Sequence, residues 1–120
     1  MIDHLIIGVN DLAASRAFYE RALAPLGMAV LMDFPGLLGF GADGKPSIWI
    51  GEREPSVPLH VAFGAPNRAT VDAFHQAALE AGGRDNGAPG LRPQYHPGYY
   101  GAFVLDPDGN NVEAVTHRPE

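Results

Sequence analysis

Two hydrophobic periods follow one another along the chain, and their order is the same in each half. Asp3–Val9 has the two-residue alternation of a strand. Asn10 or Asp11 then caps a segment whose Leu12, Tyr19, Leu23 and Leu26 lie near one helical face, predicting a helix that ends near Pro25-Leu26-Gly27. Met28–Asp33, Leu37–Ala42 and Ser47–Gly51 read as strands separated by Pro and Gly, with Asp43-Gly44 as a hairpin turn. The second half opens alike, with a strand at Leu59–Phe63 and a cap at Asn67. Val71, Phe74, Ala78 and Leu79 then share a helical face, and Gly82-Gly83 is the stop. Gly101–Leu105 and Asn111–His117 read as strands joined by Asp106-Pro-Asp-Gly109. Between them Arg84–Tyr100 is rich in Gly, Pro, His and Tyr, which predicts a functional loop around at most one irregular strand.

The likeness of the halves extends to residue identity. An offset of 56 residues aligns His4–Gly27 with His60–Gly83 without gaps, with eight identities in twenty-four positions: His4/His60, Gly8/Gly64, Ala13/Ala69, Ala17/Ala73, Phe18/Phe74, Ala22/Ala78, Leu23/Leu79 and Gly27/Gly83. Chance at this composition gives roughly two. The expected architecture is therefore α+β: one domain over residues 1–120, made of two βαβββ modules at about 1–54 and 57–118. Alternation then assigns faces. Leu5, Ile7 and Val9 point to the helix-packed core, whereas His4, Ile6 and Gly8 point away, as His60, Ala62 and Gly64 do in the second module. A pseudo-two-fold axis would bring the two histidines together if their strands meet. Glu113 is a charged residue within the otherwise apolar strand Asn111-Val-Glu-Ala-Val, and a buried carboxylate needs a partner.

Composition narrows the chemistry. The chain is long enough to bury a core without disulfides or a structural metal, so a metal would serve chemistry. A net charge of −6 and the lack of any basic cluster argue against nucleic acid as a partner. No signal sequence or membrane span is evident, so the expected location is cytoplasmic. With no cysteine, any metal must be held by nitrogen and oxygen.

On these residues the sequence resembles the vicinal oxygen chelate superfamily, which includes glyoxalase I, bleomycin-resistance proteins and extradiol dioxygenases. The motifs are Asp3-His-Leu-Ile-Ile-Gly-Val-Asn-Asp-Leu with Ser15 and Phe18-Tyr19, then Leu59-His60-Val, then Phe103-Val-Leu-Asp-Pro-Asp-Gly with Glu113 four residues beyond Gly109. The resemblance implies an open, incomplete barrel, and it places His4, His60 and Glu113 at positions of family metal ligands. It also implies one divalent cation (Fe, Mn, Ni, Co or Zn), a small oxygen-bearing substrate, and dioxygenase, lyase or isomerase chemistry. A metal-free drug-binding protein is the alternative. One departure stands out: glyoxalase I has a further carboxylate ligand on the last strand of the first module, where this chain reads Pro46-Ser-Ile-Trp-Ile-Gly-Glu52. Aligning the Asp-Gly turns puts Ile48 opposite Glu113, and a shift of one puts Trp49 there, which disfavours glyoxalase I itself. Two histidines and one carboxylate form the facial set of the dioxygenase branch.

Other residues are candidates for substrate contact. Arg92-Pro-Gln-Tyr-His-Pro-Gly-Tyr-Tyr100 suits an anionic or aromatic ligand, with Arg92, Tyr95 and Tyr99 as contacts; an aromatic loop closing the barrel or contacting a second copy is the plain reading. His96 is the loop's acid or base candidate, and Tyr100, which leads into the next strand, is a catalytic candidate near the metal. Trp49 and Phe40 suit an apolar wall as well as core packing. His75 and His117 read as structural or solvated. Exposed strand edges of an incomplete barrel favour a homodimer, and the site could form within one chain or across two.

Overall fold

The computed structural model describes residues 2–54 and 57–120. Its first module runs β1 (Leu5–Val9), α1 (Leu12–Leu23), β2 (Ala29–Phe34), β3 (Leu37–Ala42) and β4 (Lys45–Glu52). The second runs β5 (His60–Gly64), α2 (Arg68–Glu80), β6 (Arg84–Leu91), β7 (Tyr100–Leu105) and β8 (Asn111–Thr116). Asp11 caps α1 by accepting from the Ala14 amide at 3.1 Å, and Asn67 caps α2 by accepting from the Thr70 amide at 2.8 Å. Each cap contributes about 1 kcal/mol. A 3₁₀ turn at Ala24–Leu26 closes α1 on the left-handed Gly27. Asp43 and Gly44 both have positive φ, the geometry of a two-residue hairpin turn.

The modules share one topology. Strand order is β1-β4-β3-β2 in one sheet and β5-β8-β7-β6 in the other; β1/β4 and β5/β8 are the parallel pairs. The two sheets are not closed into a barrel, and among the described residues no strand ladder joins them. They meet instead through the helices. Ile7, Val9, Phe40 and Ile50 of the first sheet and Val104, Val112 and Ala114 of the second belong to one buried cluster with Phe18, Tyr19, Val71 and Phe74 from the helices. Gly83 permits this approach, because a Cβ there would lie 2.5 Å from Val104 and 2.6 Å from Phe18.

Because the helix-packed faces turn toward this common core, the opposite faces point outward. On β5 the alternation is plain: His60, Ala62 and Gly64 are exposed and Val61 and Phe63 partly covered. Arg84–Leu91 does form one irregular strand, with register shifts around Gly87, before the predicted loop.

Candidate functional site

The second module's outward face carries a connected trio. Ala62 is in register with Glu113, and Phe103 is the next neighbour across, so His60, Glu113 and Phe103 share that face. His60 Nε2 lies 2.7 Å from Glu113 Oε1; the carboxylate is fully buried, while His60 is about half exposed. Tyr99 donates its hydroxyl to the other oxygen, Oε2. Burial first, then this contact with the carboxylate, push the Tyr99 phenol up to about 12, so at neutral pH it is a proton donor. Gly101 leaves the room: a Cβ there would lie 3.2 Å from both Glu113 Oε2 and the Tyr99 ring.

The first module presents a different face. His4 is exposed, and its Nδ1 lies 2.8 Å from Asp3 Oδ1. As the carboxylate can only accept, Nδ1 donates and the neutral ring keeps its lone pair on Nε2. Lys45 donates to the other Asp3 oxygen at 2.8 Å, and these two bonds, the Lys45 one first, hold the Asp3 carboxyl below its ordinary range. Register settles the counterpart of Glu113. Ile6, equivalent to Ala62, pairs with Trp49, so Trp49 stands where the second module has its carboxylate. The indole stacks on Phe34 at 6.5 Å and fills the space over Gly39. Arg53 lies over Gly8 and Gly51 on this same face.

A cleft of about 430 Å³ opens beside His60, lined by Asn86, Gly87, Arg92, Tyr95, Phe103 and Asn111. The Arg92 guanidinium donates to the Ala88 carbonyl at 2.7 Å and sits 5.5 Å from the centre of the Phe103 ring. The Arg92–Tyr99 loop is closed at its base, where the Arg92 amide donates to the Tyr99 carbonyl at 2.7 Å.

A family model described as the glyoxalase/bleomycin resistance protein/dioxygenase superfamily matches residues 1–114. The chain belongs to this superfamily. Among similar solved structures is a glyoxalase/bleomycin resistance protein from Albidiferax ferrireducens, 29% identical, with 98% of each chain covered and a TM-score of 0.83. A glyoxalase-like protein from Bacillus halodurans is 26% identical, with 97% of this chain and 95% of that one covered and a TM-score of 0.74. A glyoxalase I mutant from Zea mays is also 26% identical; 95% of this chain covers 45% of that one, at a TM-score of 0.68. No curated protein matches the sequence.

Within this superfamily fold, the ligand positions inferred from sequence are only partly assembled. His60 and Glu113 are brought together, but among the described residues no cluster of three metal-ligating side chains exists, and His4 is on the other module. Arg92 and Tyr95 line the cleft, whereas Tyr99 supports Glu113 from outside it. Tyr100 is not near this trio. It pairs with Thr116, shares the helix-side face of β7 with Ala102 and Val104, and donates its hydroxyl to Asp72 of α2 at 2.7 Å. Strand parity gives the reason: Tyr99, one residue earlier, is the tyrosine on the Glu113 side. His96 is outside the cleft lining, with Nδ1 held 2.8 Å from the Pro97 carbonyl and its ring 4.5 Å from that of His117. Phe40 belongs to the core, and His75 pairs with Asp85 at 3.0 Å. Asn86 and Asn111, which line the cleft, carried no sequence signal of their own; Asn111 could have been found from its register opposite His60.

No helix among the described residues is long and apolar enough to cross a membrane.

Proposed function

We propose that this chain is a metal-dependent enzyme that works as a homodimer, with His60 and Glu113 of one protomer and the partner subunit's His4 holding one divalent cation. The observation that carries this reading is the 2.7 Å convergence of His60 Nε2 and the buried Glu113 Oε1 beside an open cleft. The donor set fits such an ion. Two ligand atoms at right angles, each roughly 2.1 Å from a cation, are about 3 Å apart. A fully buried carboxylate also calls for positive charge, and a nitrogen–oxygen set suits Fe, Mn, Ni, Co or Zn alike.

The composite site follows from the outward faces. Ile6, Met32 and Phe34 lie on the His4 face and are 43, 41 and 51% exposed, an apolar surface that a second copy's module would cover. When bound, the cation would supply Lewis-acid stabilisation of developing enolate or oxyanion charge on a small chelating substrate. Around it, Tyr99 holds Glu113 in place, Asp3 fixes the His4 tautomer, and Phe103 floors the cleft. With Trp49 at the fourth position, the reading favours three protein ligands and dioxygenase, lyase or isomerase chemistry other than glyoxalase I.

A second reading is a metal-free binder of planar molecules. It draws on the stacked Phe34 and Trp49 pair and on the direct His60–Glu113 contact, which satisfies both groups without an ion.

Elemental analysis of protein purified without chelators, with sedimentation, tests both. About one cation per chain, lost in His4→Ala, His60→Ala and Glu113→Ala, is expected of the enzyme. Refolding His4→Ala together with Glu113→Ala should restore one intact site per heterodimer, because each chain supplies what the other lacks. A monomer in solution, or no recovery in the mixed dimer, would sink the composite site. A wild type that takes up no cation on reconstitution would favour the binder.

A further inference from the structure

We propose that the cleft beside His60 receives the carboxylate of a small organic acid, with Arg92 as its counter-ion; this rests on the assignment of that cleft as the substrate site. Arg92 is a guanidinium with a built seat. Gly87 and Gly90 flank it, and a Cβ at those positions would lie 3.3 and 3.0 Å from its terminal nitrogens. Its hydrogen bonds go to the Ala88 and Leu91 carbonyls, and no ion pair with a carboxylate engages it among the described residues. Arg16 and Arg21, by contrast, are neutralised by acidic partners, Glu20 and Asp33 for the first and Glu80 for the second. A fixed cation facing a polar cleft without an anion is the arrangement that recruits one from solution.

The other lining groups agree. Asn111 and Asn86 line the same cleft and bring two side-chain amides to it, each with an N–H donor pair; the Asn111 oxygen is buried without a hydrogen-bond partner. Of the carboxylates near it, Glu113 has both oxygens engaged by His60 and Tyr99, and Asp85 is engaged by His75 and the Gly87 amide. The cleft therefore offers donors and little competing negative charge. His60 and Arg92 both pack around Phe103, at 6.1 Å ring to ring and 5.5 Å from guanidinium carbon to ring. A compact acid lying over that ring would place its carboxylate on Arg92 and its other oxygen-bearing end toward His60. One guanidinium with neutral amides suits a monoanionic carboxylate better than a phosphate dianion, and the 430 Å³ volume suits a small molecule.

The test is NMR titration of the purified protein with phenylacetate, phenylacetamide and phenyl phosphate, before and after treatment with a chelator. Phenylacetate should bind at least about tenfold more tightly than phenylacetamide, and Arg92→Gln should abolish that preference. Arg92→Lys, which keeps the charge but not the fork, should retain part of it and guards against a folding defect in the first variant. Equal binding of acid and amide, no binding of the acid, or a preference unchanged in a folded Arg92→Gln would overturn the proposal. Tighter binding of phenyl phosphate would overturn the choice of carboxylate. The Arg92 dependence must persist in the stripped protein, so metal content judges the metalloenzyme reading separately.

Discussion

Removing one oxygen from the buried Tyr19 should loosen the joint between the two modules by an amount the structure allows to be worked out. Tyr19 of α1 is fully buried and donates to Asp106 Oδ2 at 2.6 Å, across to the turn that leads into β8. Asp106 is 3% exposed and accepts three further bonds: from the Asp108 and Asn110 amides on Oδ1 at 2.9 and 2.8 Å, and from Asn110 Nδ2 on Oδ2 at 2.9 Å. Hydrogen bonds to charged groups contribute about 1.5–3 kcal/mol, and because three donors remain, Tyr19→Phe should cost about 2 kcal/mol. At roughly 2.1 cal/mol/K of unfolding entropy per residue, that lowers Tm by about 8 °C for a chain of 120 residues. Burial first, then the Asp106 charge, raise the Tyr19 phenol well above 10.0. A raised phenol contributes stability that is fully present below its unfolded value near 10 and is lost as pH climbs beyond it, because the unfolded chain then ionises and the folded one does not. Urea unfolding at one protein concentration, at neutral pH and across the alkaline range, checks both parts. A neutral-pH loss under about 0.5 kcal/mol, or an alkaline slope identical in Tyr19→Phe, would refute the account of the latch.

Three further outcomes bear on the site. Tyr99→Phe removes the donor that holds Glu113 Oε2 and should weaken metal affinity by roughly 10–100-fold with the fold intact, measured by competition with a chromophoric chelator; unchanged affinity would exclude a supporting role. Gly101→Val would press on Glu113 and Tyr99 and should abolish metal uptake at a stability cost of about 1–3 kcal/mol, read from metal content and melting together; full uptake would mean the carboxylate does not need its present position. Trp49→Glu restores a carboxylate at the counterpart of Glu113 and should tighten metal binding by at least about tenfold at some loss of stability from the Phe34 stack; no change in affinity would show that β4 of the first module does not face the cation.

The fold was legible because it rests on local periods and caps. Asp11 and Asn67 cap the two helices expected from sequence, and the repeat called for two modules of one layout, which the matching strand orders show. The association of His60 with Glu113 came from the family resemblance instead, and the structure supplies its cause, since residues two apart on parallel neighbours share a face. What alternation could not fix was phase at the end of an irregular loop. Register shifts around Gly87 leave the parity of Tyr99 and Tyr100 undetermined until β7 is paired, and one residue separates a hydroxyl on Glu113 from one on Asp72. The same ambiguity left Ile48 and Trp49 open on β4, until pairing with Ile6 decided for Trp49.

Duplication also explains why the two faces differ while their frames agree. Equivalent positions hold His4 and His60, but the neighbouring cross-strand pair is Trp49 with Gly39 in one module and Glu113 with Phe103 in the other. Bulk has moved from one strand to its neighbour: a large side chain faces a small one in the first module, and the aromatic ring sits on the opposite partner in the second. Each module therefore keeps a filled sheet face, yet only the second has a carboxylate and only the first has an apolar shelf. Two such faces point outward on either side of a shared helical core. In the homodimer we propose, the apolar shelf of one chain would cover the polar cleft of the other and add His4 to its rim. That complementarity is why the mixed His4→Ala and Glu113→Ala dimer is the decisive test: a site closed within one chain leaves both of its copies broken, whereas a site shared between chains leaves one whole.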